Sequence, residues 1–239
     1  MEGSFRYVDS LEELQAFLQD RKMTREEIAN ASDELIKSHH EIISLIRSFV
    51  PEAENQIREW EKEMAQNPSN DYSDKIGLVK VLIDFYKLNG RYALLELDVN
   101  TVYKHMFIAE TEYEYRFFAR RAYTLMYEAK KGLTVPTGQM YKRLDPIVGK
   151  RNMEPYKNVH SDLSDFLNKN ENELKEIRNA NEAHKGEDFD VQIASIEKMS
   201  VARSVFLIQE FSIYLAKLYC AFMVVQGTLT EYMKGWMKA

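Results

Sequence analysis

The chain reads as an all-α protein, an antiparallel bundle of long helices. Three observations predict this. Apolar residues recur at alternating steps of four and three over long stretches. Capping signals of the Ser/Thr-x-x-Glu type precede two of them. No segment shows the period-two alternation of β-branched residues that a half-buried strand requires. With 239 residues, 45% of them hydrophobic and 29% charged, the chain is expected to form a single helical domain over 1–239 with a self-sufficient core.

The elements follow in order. "SLEE" at Ser10 to Glu13 and "TREE" at Thr24 to Glu27 each offer a hydroxyl and a carboxylate to free backbone N–H groups. From the second cap, Ile28, Ser32, Leu35, His39, Ile42, Ile46 and Phe49 form one seam, which Pro51 is expected to stop. A more polar helix follows from Glu52 to about Met64, broken by "NPSND". The next spans Ser73 to Leu88 and ends at Asn89-Gly90. Tyr92, Leu95, Val99, Val102, Met106, Ala109 and Tyr113 then predict a very long helix reaching about Lys131, stopped by Gly132. Residues 132–157, rich in proline and glycine, read as an irregular connector with short helical pieces. A helix from about Asn158 to Lys185 and a last one from about Asp188 to Val225 complete the chain. In the last, Leu207, Phe211, Tyr214, Leu218, Phe222 and Val225 make the deepest stripe. Such seams pack as antiparallel bundles.

The net charge of −6 argues against whole-molecule attraction to DNA, RNA or an anionic membrane, so a polyanion would need a local basic site. The single cysteine, Cys220, excludes an internal disulfide and fits a reducing, cytoplasmic setting; its apolar neighbours suggest a buried small hydrophobe. No signal peptide is visible at the N-terminus. The apolar window from Val205 to Val225 has bilayer length, but Gln209, Glu210 and Lys217 interrupt it, which favours a core helix over a membrane span.

Chemistry-bearing residues are few. Residues 176–189, "EIRNANEAHKGEDF", place Arg178, Asn179 and His184 near a helix–helix corner, with Gly186 suited to a C-terminal cap and Asp188 to an N-cap. Arginine, a polar residue, then histidine after a short gap resembles the signature of the HEPN superfamily, helical-bundle proteins that are often metal-independent ribonucleases of toxin–antitoxin, defence and RNA-processing systems. The resemblance covers the motif and its setting before a long C-terminal helix, about residues 158–227, and not the first 150 residues. It implies a homodimer, with both motifs in one interfacial cleft, and in some members a cognate antitoxin protein.

The chemistry suits those residue types. Cleavage without a metal or other cofactor needs the 2′-hydroxyl to attack the neighbouring phosphorus. His184 can move the protons. Arg178 can meet the negative charge on the phosphoryl oxygens, and Asn179 can orient the phosphate or fix the imidazole tautomer. On one rigid helix Arg178 and His184 would stand about 120° and roughly 9 Å apart, so an unwound helix end or a twofold partner must bring them together. The same residues also fit a solvated helix end: Arg178 pairs with Glu182 at i+4, and His184 is favoured by the helix dipole. On that reading the bundle is a non-catalytic module that dimerises or binds a protein partner.

Other residues carry less. His39 occupies a seam position and is expected to be buried and satisfied. Glu110, Glu112 and Glu114 hint at a carboxylate metal site, but no Glu-x-x-His occurs, and Glu112 with Arg116 fits an i,i+4 surface pair. Lys142, Arg143, Lys150 and Arg151, interleaved with Tyr141 and Tyr156, form the one locally basic stretch and are candidate RNA contacts.

Overall fold

The computed structural model describes residues 10–20, 22, 24–182 and 199–238. The protein is an all-α helical bundle, and among the described residues no strand forms. Among the described residues the helices are α1 (Leu11–Asp20), α2 (Arg25–Gln66), α3 (Ser73–Ile108), α4 (Glu112–Ala129), α5 (Val135–Val148), α6 (Lys150–Lys169), α7 (Glu171–Glu182) and α8 (Val201–Lys238), with a π-helical turn at Lys130–Thr134 joining α4 to α5.

Helix α2 begins at a full capping box: Thr24 Oγ1 accepts from Glu27 N–H, and the Glu27 carboxylate accepts from Thr24 N–H at 2.8 Å. It then runs straight through Pro51. A proline in a helix interior costs about 3 kcal/mol through its lost N–H and its ring clash. Here the ring is exposed to solvent. Just beyond it, Ala53 and Ile57 pack against Ile76 and Ile83 of α3, with Phe49, Trp60 and Tyr72 around them. Burial on both sides of the proline offsets its cost, so the expected stop does not occur. Helices α2 and α3 form a long antiparallel hairpin, closed by "NPSND", where Asn67 N–H donates to Glu63 O and the Tyr72 hydroxyl to Glu63 Oε1.

The break expected at Asn89-Gly90 is also absent, because α3 continues to Ile108. Phe85, Leu88, Tyr92, Ala93, Glu96 and Val99 keep one face buried across the pair, and that burial outweighs the roughly 1 kcal/mol helix penalty of one glycine. The very long helix expected to reach Lys131 is instead divided at Ala109–Thr111. Thr111 caps α4 by accepting from Glu114 N–H, while Glu114 Oε2 accepts from Glu110 N–H at 3.0 Å. Gly132 does not end a helix; it lies inside the π-helical turn.

Residues 132–157 are helical rather than irregular. Pro136 sits in the first turn of α5, where a missing N–H costs nothing. Gly149, at φ +83°, is the actual joint between α5 and α6. His160 Nε2 meets Thr134 O at 2.7 Å, pinning α6 to the π-turn.

The main core gathers Leu82, Phe85 and Tyr92 of α3, Tyr115, Tyr123 and Met126 of α4, Leu144 of α5, Tyr156 and Leu167 of α6, and the α8 stripe. Leu207, Phe211, Leu218, Phe222 and Val225 are fully buried, as their spacing predicts, and Tyr214 packs against them. By length and hydropathy alone, residues 201–232 would also pass for a membrane span. Cys220 is exposed, not buried, because it lies on the opposite face of α8 from that stripe.

Candidate functional site

The helix expected from Asn158 to Lys185 is divided at Asn170, which is buried at the joint of α6 and α7. Its side-chain amide donates to Phe166 O at 2.7 Å, and its Oδ1 accepts from Arg203 at 2.6 Å. Arg203 also grips the Glu173 carboxylate, with Nε and Nη2 at 3.1 and 2.9 Å from Oε2, and the Tyr123 hydroxyl donates to Glu173 Oε1 at 2.9 Å. Burial first, and then the Glu173 carboxylate, push the Tyr123 phenol up from its ordinary pKa, so it stays protonated and keeps donating. This network fixes where α7 projects. Beside it lies a cavity of about 320 Å³ lined by Tyr123, Glu173, Ile177, Ser200 and Arg203.

Arg178 and Asn179 stand near the end of α7. The Arg178 guanidinium lies over the Tyr127 ring, 5.5 Å from its centroid, and its Nη2 reaches Glu128 Oε1 at 3.3 Å. Its side chain is 28% exposed and Asn179 is exposed next to it, with Asn179 Oδ1 3.5 Å from Arg178 Nη1. His184 lies outside the described residues, as do Gly186 and Asp188 with their expected caps. The structure therefore brings Arg178 and Asn179 together at a helix end. Tyr127 and Glu128, which hold the arginine, are contributed by α4, some fifty residues earlier, and no spacing rule in the sequence flags them.

The basic stretch is spread over two helices. Lys142 and Arg143 are on α5, Lys150 and Arg151 open α6, and all four are exposed. Arg143 lines the groove between α3 and α5, where it pairs with Asp84 at 2.6 Å. Lys87 and Arg91 of α3 line the same groove. Sequence reading missed them, although Asp84, Lys87, Leu88 and Arg91 repeat at i, i+3, i+4, i+7 and therefore share one helix face.

The seam histidine is buried and satisfied. His39 Nδ1 faces Leu35 O at 2.6 Å, Nε2 is in hydrogen-bond contact with Glu96, and the Tyr219 ring lies 6.2 Å away. Facing the Glu96 carboxylate and the Leu35 carbonyl, the doubly protonated imidazolium can donate from both ring nitrogens. Burial opposes that charge, but the Glu96 carboxylate and the Leu35 carbonyl outweigh it, and the His39 pKa lies above its ordinary value. Leu35, expected in the seam, is instead half-exposed. The Glu112–Arg116 pair forms as predicted. Among the described residues no group of three metal-ligating side chains forms.

A second groove, about 430 Å³ and almost wholly apolar, runs between α6 and α8, lined by Pro155, Val159, Ile213, Ala216, Cys220 and Val224. Fold and side chains thus define the class of the protein as an all-α bundle with a polar cluster on α7 and open grooves that include those between α3 and α5 and between α6 and α8. Comparison with protein-family models, with curated proteins and with solved structures finds no match.

Proposed function

We propose that the chain is an HEPN-like protein acting on RNA: a metal-independent endoribonuclease of the toxin–antitoxin or defence kind, working as a homodimer. Arg178 clamps the phosphate, Asn179 positions it, and His184 carries protons. The 2′-hydroxyl loses its proton to His184 and attacks phosphorus. The bond to the 5′ oxygen then breaks, leaving a 2′,3′-cyclic phosphate and a 5′-hydroxyl. In a twofold dimer one imidazole can take the first proton while its partner supplies the second.

The observation that carries this reading is the setting of Arg178. Its guanidinium lies over the Tyr127 ring and reaches the Glu128 carboxylate, itself 54% exposed, at a rather long 3.3 Å. Exposed pairs of this kind contribute roughly 0–1 kcal/mol. A phosphate, which binds arginine through two parallel hydrogen bonds, can displace Glu128 at little cost. The test is RNA cleavage in excess chelator by the wild type and by His184→Ala, with the oligomeric state of both measured by light scattering. Cleavage that is lost in a still-dimeric variant supports the proposal; equal cleavage by both removes His184 from the chemistry.

The apolar groove between α6 and α8 favours a second reading, a module that dimerises or binds another protein without catalysis. Ile213, Met223 and Val224 are each close to half exposed on α8, an exposure that soluble proteins tend to keep for contacts. If neither protein cleaves RNA while Val224→Glu abolishes self-association, this second reading replaces the first.

A further inference from the structure

The groove between α3 and α5 is built from two matching helical stripes. Asp84, Lys87, Leu88 and Arg91 come from α3, and Pro136, Gln139, Met140 and Arg143 from α5; together they enclose about 220 Å³. Each stripe has the i, i+3, i+4, i+7 spacing of a single face. The helices run antiparallel, since Arg143 meets Asp84 while the Tyr92 hydroxyl meets Thr137 Oγ1 at 2.8 Å. Leu88 and Met140 are buried and form the floor; Lys87, Arg91, Gln139 and Arg143 are exposed and form the rims. Thr137 holds the register, since it also donates to Leu133 O at 2.6 Å and accepts from the Tyr156 hydroxyl through its own carbonyl at 3.0 Å.

Three cations therefore face one rigid groove. Two are tied to carboxylates: Arg143 to Asp84, and Lys87 to Glu54 at 2.9 Å. All four of these side chains are 43–50% exposed, and solvent screening makes such pairs easy to exchange. Arg91 forms no ion pair or hydrogen bond among the described residues. Arg91 and Arg143 sit at opposite ends, one near Pro136 and one near Asp84, their positions about 10 Å apart by helical rise. One small monoanion cannot satisfy cations so spaced. A chain of phosphate groups can, with guanidinium forks at its two ends and the Lys87 ammonium between them.

The geometry points to the α3–α5 groove as a binding site for a chain of phosphates, either a free polyphosphate or the backbone of a nucleic acid strand. This site is separate from the α7 corner and does not depend on His184. Arg91 is its principal anchor, because among the described residues it has no carboxylate to give up. Asp84 is the internal competitor of the ligand, holding Arg143 until a phosphate takes its place.

Two probes test this at low ionic strength: inorganic tripolyphosphate by titration calorimetry, and a single-stranded 2′-O-methyl oligoribonucleotide, which lacks the attacking hydroxyl, by fluorescence anisotropy. Arg91→Ala is expected to weaken binding about tenfold, the loss of one charge-assisted contact, with an unchanged melting temperature. On the oligonucleotide it should also reduce the salt slope by about one. Asp84→Asn is expected to tighten binding. Response of the tripolyphosphate alone identifies a free polyphosphate as the ligand, and response of the oligonucleotide alone identifies a strand backbone; either upholds the site. Failure of both probes to bind, or wild-type affinity in Arg91→Ala, overturns it.

Discussion

Replacing Glu96 with glutamine removes one charge from the buried pair that joins α2 to α3. The side chains of His39 and Glu96 are 9% and 10% exposed, so solvent screens them little. Removing one partner of a buried pair costs about 3–5 kcal/mol. Glutamine keeps an acceptor for Nε2–H, so the low end, about 3 kcal/mol, is expected. The cost depends on pH, and its sign follows from the His39 pKa being raised in the folded state. The stabilisation is complete below the unfolded value of about 6.5. Above it the unfolded chain releases a proton that the folded chain retains, so the pair's contribution falls as pH rises through the folded pKa. Urea-unfolding midpoints followed by far-UV circular dichroism, for the wild type and Glu96→Gln across this window, should show a wide gap at mildly acidic pH that narrows as pH rises. A gap that is constant, or that widens with pH, refutes the imidazolium assignment.

Further substitutions probe the packing. Phe222→Ala empties a site where fully buried Phe222 meets Phe85, Tyr92 and Tyr156 at centroid distances of 5.4, 5.1 and 5.4 Å; a loss of about 3–5 kcal/mol is expected, seen as a melting temperature lower by roughly 10 °C. Tyr115→Phe removes a hydroxyl bonded to Ser204 at 2.7 Å and to Val201 O at 3.1 Å, and a loss of about 1–2 kcal/mol should appear in chemical denaturation. Gly149→Ala forces a side chain onto φ +83° and should cost about 1–2 kcal/mol by the same measurement.

The sequence makes the bundle legible because burial follows periodicity, and burial dominates the energetics. Most misread helix boundaries share one origin. Pro51, Asn89-Gly90 and Gly132 are local breaking signals of about 1–3 kcal/mol, and at the first two positions α2–α3 packing overrides them. The true division at Ala109–Thr111 carried its own signal, "TEYE", a Thr-x-x-Glu cap whose hydroxyl accepts from Glu114 N–H. At the α7 corner, Arg178 and Asn179 could be read as neighbours, but Tyr127 and Glu128 could not be linked to them, because that contact depends on how α4 crosses α7. Glu96 was legible in principle: a carboxylate four residues after Tyr92 and three before Val99, on a buried stripe, demands a partner. For Lys87, Arg91 and Arg143 the helical faces were readable, but their meeting is set by the antiparallel register of α3 and α5.

The central claim concerns RNA chemistry without a metal, and the ends of the products report on it directly. When the purified protein is incubated with single-stranded RNA in excess chelator, mass spectrometry of the fragments should find 5′-hydroxyl and 2′,3′-cyclic phosphate termini. Intact RNA under these conditions, or fragments bearing 5′-phosphates, would contradict the account.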